Sequence, residues 1–524
     1  MITTKESNCH WQLPSPYTLP GPPMPASGSP GEVASSSSQS PAAAVEMAPN
    51  SRPTGPTAAA CIATPTKIEI YQSLVSYIKE LASTTNTCRL GLTLDNYCVE
   101  MSTKDVVIGL VRSVEFRKTL LELLSDVGSG SDPRLRDALH KDETQIAAQV
   151  LSVIQSKTAT ESALQLEGDF AQYFLDVVQN TLDRGFLMDQ KHSAKARRII
   201  RKLSEACDKL PTSLFITGVT GREEQATFGG GFGDIYRASY KGKTVALKHM
   251  RTFHRGADLR RIRLHFCREA LVWQHLNNPY ILPLIGIDRE SFPLSHCMVS
   301  PWMEHGTVLT YLDNHGRANV DKLLSEIAQG LQYLHSRNIV HGDLRGANIL
   351  ITHDWSACLA DFGLAVLSDA TTSKRTSNRA GSVRWMAPEL IDPDYFGHHF
   401  ARTPASDVYA FGCVCLELYT GRPPFSDLSE MAAMFRIIKE ERPERPSGNP
   451  AITDTLWRLA QECWVENPAR RPVTDVVVEM HMNKRKLVAD CLSNSRVLNR
   501  PFSGVNWHWN LNHMFVSNDI GLVS

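Results

Sequence analysis

Two short strings restrict this chain more than anything else in it: His341-Gly-Asp-Leu-Arg-Gly-Ala-Asn-Ile-Leu350 and, soon after, Asp361-Phe-Gly363. Moving a phosphoryl group from a nucleotide to a hydroxyl asks for one carboxylate that orients the hydroxyl. It also asks for an amide oxygen and a second carboxylate that hold Mg²⁺ over the phosphates. Asp343, Asn348 and Asp361 carry those groups in that order. Together the two strings direct attention upstream, where the phosphates must be gripped.

There Phe228-Gly-Gly-Gly-Phe-Gly-Asp-Ile-Tyr236 precedes Val245-Ala-Leu-Lys248. Glycines between two strands let backbone amides approach phosphates with no side chain in the way. In the pattern G-x-G-x-x-G-x-V, Gly230 and Gly233 supply the second and third glycines and Ile235 the last apolar residue. Phe228 stands where the first glycine belongs, with Gly229 and Gly231 beside it to relieve the loop. A glycine-rich run by itself is more often a flexible turn than a phosphate site. Lys248 at the end of an apolar strand changes that, because such a lysine grips the α- and β-phosphates once a helical glutamate holds it. Glu269, within the helically spaced Phe266-Cys-Arg-Glu-Ala-Leu-Val-Trp273, is the candidate.

Downstream come Ala387-Pro-Glu389, Asp407-Val-Tyr-Ala-Phe-Gly412, Cys463-Trp464 and Asn467-Pro-Ala-Arg-Arg-Pro472. With these strings in place, residues 214–484 resemble a eukaryotic protein kinase. Within that superfamily they most resemble the tyrosine-kinase-like group, notably its expanded sets in mushroom-forming fungi. The resemblance implies an α+β, bilobal fold, with a β-rich small lobe, a helical large lobe, and ATP and Mg²⁺ in the cleft. It implies catalytic roles for Asp343, Lys248, Glu269 and Arg345, the last supporting the γ-phosphate, and Mg²⁺ ligation by Asn348 and Asp361. The nucleotide pocket would comprise Gly230, Gly231, Gly233, Ile235, Ala246 and Lys248, with Asn348 below. Ser300 would stand behind adenine, and the backbone of Trp302 and Met303 would face it. Glu389 is expected to pair with Arg471, and Asp407 to accept backbone amides of the catalytic loop.

The acceptor is read residue by residue. Arg345 stands where serine/threonine kinases usually keep a lysine, and Val383-Arg-Trp-Met-Ala-Pro-Glu389 has a tyrosine-kinase flavour. Ser382 occupies the place of a hydroxyl typical of serine/threonine enzymes, which favours that specificity over a tyrosine or dual one. Gly342 replaces the arginine that normally meets a phosphate on the activation segment, so activity is expected not to need that clamp. Ser368, Thr371, Thr372, Ser373, Thr376 and Ser377 crowd the segment. Phe228 and Gly342 are also what a pseudokinase scaffold would show, against the full set of Lys248, Glu269, Asp343, Asn348 and Asp361.

The rest of the chain is read from composition and period. Residues 1–60, rich in Pro, Ser and Ala, have too few apolar side chains to offset the entropy of ordering and are expected to be a disordered tail. Across 61–210, stripes such as Ile70/Leu74/Ile78, Val107/Leu110/Val111, Val150/Val153/Ile154, Phe170/Phe174/Val177 and Ile199/Ile200/Leu203 recur every three or four residues. They predict a bundle of helices with a regulatory or partner-binding role. Lys195, Arg197, Arg198, Arg201 and Lys202 read as a solvated helix face. Residues 485–524 show no clear period. Lys plus Arg and Asp plus Glu both number 55, so nothing global favours nucleic acid. The 12 cysteines form no C-x-x-C pairs, and there is no signal-peptide or membrane-spanning run. A cytoplasmic protein acting on protein substrates is the expectation.

Overall fold

Between Tyr71 and Leu210 the apolar stripes become helices: α1 (Gln72–Thr84), α2 (Val106–Val127), α3 (Pro133–Gln155), α4 (Lys157–Ala163), α5 (Gly168–Asp183) and α6 (Gln190–Cys207). These belong to a computed structural model that describes residues 71–84, 94–95, 98–99, 103, 105–127, 132–230, 233–250, 257–292, 295–367, 383–397, 400–447 and 451–480. All lie in the unit Thr64–Ser524. The expected tail 1–60, Ile70, Gly231, the activation-segment hydroxyls with Ser382, and residues 485–524 fall outside the described residues.

Local chemistry sets the helix starts. Asp132 accepts from the Arg134 amide, and Pro133 sits in the first turn of α3, where its missing N–H removes no bond. Asp142 is buried on α3 yet satisfied, because the Ser73 and Leu74 amides at the start of α1 donate to its two oxygens (2.9 and 2.8 Å). Leu74, Ile78, Leu110, Val150, Phe174, Ile200 and Leu203 are buried. Phe170 is not: it is 50% exposed. Helix α5 buries Ala171, Phe174, Leu175 and Val178, and Phe170 in its first turn falls outside that face.

Past Pro211 the chain turns to strands. β1 (Phe215–Ile216), β2 (Val219–Thr220), β3 (Phe228–Gly230), β4 (Gly233–Tyr240), β5 (Lys243–His249), β6 (Gly286–Asp288) and β7 (Cys297–Pro301) make one sheet. Its order is β1-β6-β7-β5-β4-β2, with β3 paired to β4. Helix α7 (Ala257–Trp273) comes between β5 and β6. The second lobe is mainly helical: α8 (Val308–His315), α9 (Val320–Ser336), α10 (Pro388–Ile391), α11 (Pro404–Thr420), α12 (Glu430–Ile438) and α13 (Asp454–Cys463). Short strands β8 (Ile339–Val340), β9 (Ile349–Ile351), β10 (Ala357–Leu359) and β11 (Val366–Leu367) carry the loops between the lobes. Helix α11 buries every residue from Ser406 to Leu418, Cys413 and Cys415 included, which is the pattern of a helix at the centre of a core.

One hydrophobic core runs from Leu74 through Leu203 and Leu210 to Cys267, Leu271 and on to Val477. A smaller one, including Val219, Ala238, Val245, Leu247 and Val299, covers the other side of the sheet. Secondary structure changes near residue 210, but the packing does not break there. Helix α6 lies against α7, and two ion pairs stitch them, Arg268 to Glu205 (2.8 Å) and Arg263 to Asp208 (3.0 Å).

Candidate active site

Strand β5 ends by pointing Lys248 at the cleft, paired in the sheet with Ile235 on one side and Met298 on the other. Its ammonium lies 2.6 Å from Glu269 of α7 and 2.6 Å from Asp361. Burial disfavours the lysine charge, but the Asp361 and Glu269 carboxylates outweigh it, and the Lys248 pKa is raised. Burial pushes Asp361 up as well, yet Lys248 holds its carboxyl below the ordinary value. Glu269 goes the other way, raised by burial and by Asp361 beyond what Lys248 offsets. Two carboxylates thus face one ammonium, with Glu269 Oε2 buried and without a hydrogen-bond partner. The surplus is negative, as a site that receives a cation requires.

The catalytic loop is held from below. Asp407, at the start of α11, accepts from the amides of His341 (2.7 Å) and Gly342 (2.8 Å). A Thr403–Ser406 capping box fixes that helix end. The Asp343 amide donates to His341 Nδ1 (3.3 Å), so Nε2 carries the proton donated to the Ala360 carbonyl (3.1 Å). Phe362 packs between Trp273 and His341, with ring centroids 5.8 and 5.5 Å away. Glu269 and Trp273 are one helical turn apart, so α7 positions both the ion pair and this aromatic stack.

Asn348 donates to Asp343 twice, to its carbonyl (2.8 Å) and to Oδ2 (2.9 Å). Its NH₂ is thereby used, and its amide oxygen is the atom left for a cation. The Ala360 amide donates to the Asn348 carbonyl (2.9 Å), setting Asn348 beside Asp361. An amide oxygen and an ionised carboxylate are hard oxygen donors, the kind Mg²⁺ takes. Asp343 Oδ1 accepts no hydrogen bond among the described residues. Arg345 Nε stands 3.5 Å from Asp343 Oδ2.

On the nucleotide side, β3 pairs Phe228 with Ile235 and Gly230 with Gly233. A Cβ on Gly233 would come within 2.4 Å of the His249 carbonyl, so only glycine lets β4 approach β5 this closely. Ala246 pairs with Ser300, which is 5% exposed. The Trp302 amide donates to the Thr244 carbonyl (3.2 Å), within the sheet, so it is not a donor that adenine would meet. The Trp302 ring has a different partner: Phe228 stacks on it at 6.1 Å and 22°. Arg237 lies over the same indole at 5.3 Å. In the large lobe, Arg471 donates to both oxygens of Glu389 (2.6 and 2.7 Å).

Two residues of the site escaped the sequence reading. Gly342 has φ +80, a backbone only glycine adopts without strain. A Cβ there would lie 2.6 Å from Cδ of Arg402 and 2.7 Å from the Leu364 carbonyl. Arg402 thus fills the space beside the catalytic loop. The other is Glu417 of α11, whose Oε2 accepts from the Gly346 amide and from Trp385 Nε1 (both 2.8 Å). Burial pushes its carboxyl up to about 7. The sequence offered a hint for the first, a glycine where a cation belongs, but nothing to select Arg402. For the second it offered none, since Glu417 sits in the apolar stretch of α11 from Val408 to Leu418.

A strand lysine locked to a helix glutamate, above an Asp–Asn–Asp set in a two-lobed fold, defines a phosphotransferase of the protein-kinase class. Residues 224–480 match the family of protein tyrosine and serine/threonine kinases. This part of the chain belongs to the eukaryotic protein kinase superfamily, with tyrosine-kinase-like relatives. It is similar to the cytokinesis protein sepH of Emericella nidulans, 34% identical over 249 residues, which are 46% of this chain and 17% of that protein. It is similar to the serine/threonine/tyrosine-protein kinase HT1 of Arabidopsis thaliana, 31% identical over 246 residues, 45% of this chain and 60% of that one. The serine/threonine-protein kinase STY17 of the same plant is 30% identical over 257 residues, 48% of this chain and 42% of that one. Much of each relative therefore lies outside the match.

Proposed function

We propose that this chain is a working protein kinase, moving the γ-phosphate of ATP to serine and threonine hydroxyls of protein substrates in the cytoplasm. The observation that carries the reading is the assembled bridge of Lys248 to both Glu269 and Asp361, 2.6 Å each. Asp343 Oδ1 orients the acceptor hydroxyl and takes its proton while Asn348 keeps Oδ2 in place. The hydroxyl oxygen bonds to the γ-phosphorus as the bond to the β-phosphate oxygen breaks, and ADP leaves. Lys248 meets the α- and β-phosphates, and Arg345 adds positive charge near the γ-phosphate. Asn348 and Asp361 would hold Mg²⁺, which when bound neutralises charge on the phosphate oxygens.

Ser382 and the serine/threonine wording in the name of the STY17 relative favour the hydroxyl choice. The described cysteines are all free, in keeping with a reducing compartment. No helix among the described residues is long and apolar enough to cross a membrane. The helical region 61–210 acts, in this reading, as the arm through which protein partners reach the kinase, because α6 grips the helix that carries Glu269.

The test is incubation of the full chain with Mg²⁺ and radiolabelled ATP beside an Asp343→Asn control, followed by phosphoamino-acid analysis. Label on serine or threonine that vanishes in the control supports the reading. Label on tyrosine overturns the hydroxyl choice, and no label above the control in folded, ATP-binding protein replaces the enzyme by a scaffold.

A further inference from the structure

The run from Lys195 to Lys202, which by spacing reads as a solvated face, is in part turned toward the kinase. Helix α6 lies across the back of α7 and the turn between α9 and β8, leaving a cleft of about 430 Å³ between them. Lys191, Lys195, Arg197, Arg198 and Arg201 line it from α6, and Arg337 from the α9–β8 turn. No carboxylate lines it among the described residues. The nearby Glu205 is taken by Arg268, 2.8 Å away. Arg197 and Arg337 form no ion pair among the described residues, and Arg197 Nε is buried with no hydrogen-bond partner. Burial lowers the Arg197 pKa, with repulsion from Arg337 adding to it. Burial, then Arg197 and Arg337, hold the neighbouring His275 imidazole down at about 3.

A half-buried guanidinium without a counter-charge, as at Arg197, is costly, because desolvation weakens its hydration and nothing replaces it. Arg337 is exposed at the rim, over the Tyr333 ring at 4.7 Å. The planar forks of both match the oxygens of a phosphoryl group. The cleft has the size of a small-ligand pocket. Leu271, Val272 and Ile339 give it an apolar wall that an inorganic ion would not need.

We propose that this cleft binds a small phosphorylated organic ligand, its phosphoryl group held by Arg197 and Arg337 and its carbon part resting on Leu271, Val272 and Ile339. The site spans the helical region and both the α7 and β8 segments of the kinase, so an occupant ties the two regions together. The inference rests on the cleft alone and holds whether or not the kinase is active.

The test is isothermal titration calorimetry of the full chain with phenyl phosphate, inorganic phosphate and phenol at constant ionic strength. Phenyl phosphate should bind saturably and more tightly than inorganic phosphate, while phenol should not bind. Arg197→Met and Arg337→Met should each weaken phenyl phosphate about tenfold or more, the loss of one charge-assisted contact. Lys248→Met, which alters the nucleotide site, should leave this binding unchanged. Neither arginine variant removes an ion pair, so both should melt within about 2 °C of the wild type. Should an arginine variant fail to fold, the exposed Lys195→Ala substitution should weaken binding by a smaller factor. Equal affinity in wild type and the variants that fold, equal heats from chloride and phosphate, or loss of binding in Lys248→Met would overturn the proposal.

Discussion

Arg402 donates from Nε to the carbonyl of Gly342 at 3.1 Å, and its side chain occupies the volume a residue at 342 would need. The loop beside Asp343 has lost its own arginine but receives a guanidinium from a segment remote in sequence. Burial lowers the Arg402 pKa, while Asp343 and Asp407 oppose that. The group therefore shares its field with both carboxylates that define the loop.

From that pairing, Arg402→Met should lower kcat about tenfold to a hundredfold with little change in the KM for ATP, since the residue steadies the loop and not the nucleotide. Gly342→Ala should destabilise the protein by roughly 2 kcal/mol or more, through the positive φ and the clash with Arg402. Steady-state kinetics and thermal melts check the two separately. An Arg402→Met variant with wild-type kcat would show that the guanidinium merely fills space.

Lys248→Met should abolish phosphate transfer by a factor of about a hundred or more. It should also destabilise the fold by roughly 3 kcal/mol, because Glu269 and Asp361 would then confront each other without a cation. Adding Glu269→Gln to that variant should restore much of the melting temperature and none of the activity. Recovery of both together would contradict the separation of the two roles.

Phe228→Gly restores a conventional glycine-rich loop at the expense of the stack on Trp302. Such a pair contributes about 0.5–1.5 kcal/mol. The variant should raise the KM for ATP about twofold to tenfold, with kcat nearly unchanged. A KM that falls instead would mean the aromatic pair obstructs the pocket.

The Glu389–Arg471 pair is buried, and Arg471 also donates to the carbonyls of Val465, Ala405 and Glu466. Arg471→Met should cost roughly 3–5 kcal/mol, the range for stranding one partner of a buried ion pair. Denaturant melts of Arg471→Met and of Glu389→Gln/Arg471→Met measure it, and the double variant should lose less.

Glu417 gives the fold a pH dependence of a specific sign. Burial raises its carboxyl from the ordinary 4.5 to about 7, so the native state holds a proton that the unfolded chain has released. Stability should be greater near pH 5 and decline as pH rises toward about 7, by on the order of 3 kcal/mol from this group. Glu417→Gln should flatten that slope in chemical denaturation series at several pH values.

Much of the site was legible in the sequence because its parts are set by local chemistry. A glycine-rich turn, a lysine ending an apolar strand, and a loop with Asp343, Arg345 and Asn348 close together are short-range features, and their order along the chain names the fold. Helical stripes were legible for the same reason, since each needs only a period; Phe170 misled because a period does not say where a buried face ends. The sequence alone could not supply what depends on distant segments meeting. Arg402 reaches Gly342, Glu417 reaches Gly346, Phe228 finds Trp302, and α6 turns Arg197 toward Arg337, each across separations that carry no periodic or motif signal. Motifs record the chemistry a residue can do, and packing decides which groups come close enough, in a medium poor enough in water, for that chemistry to count.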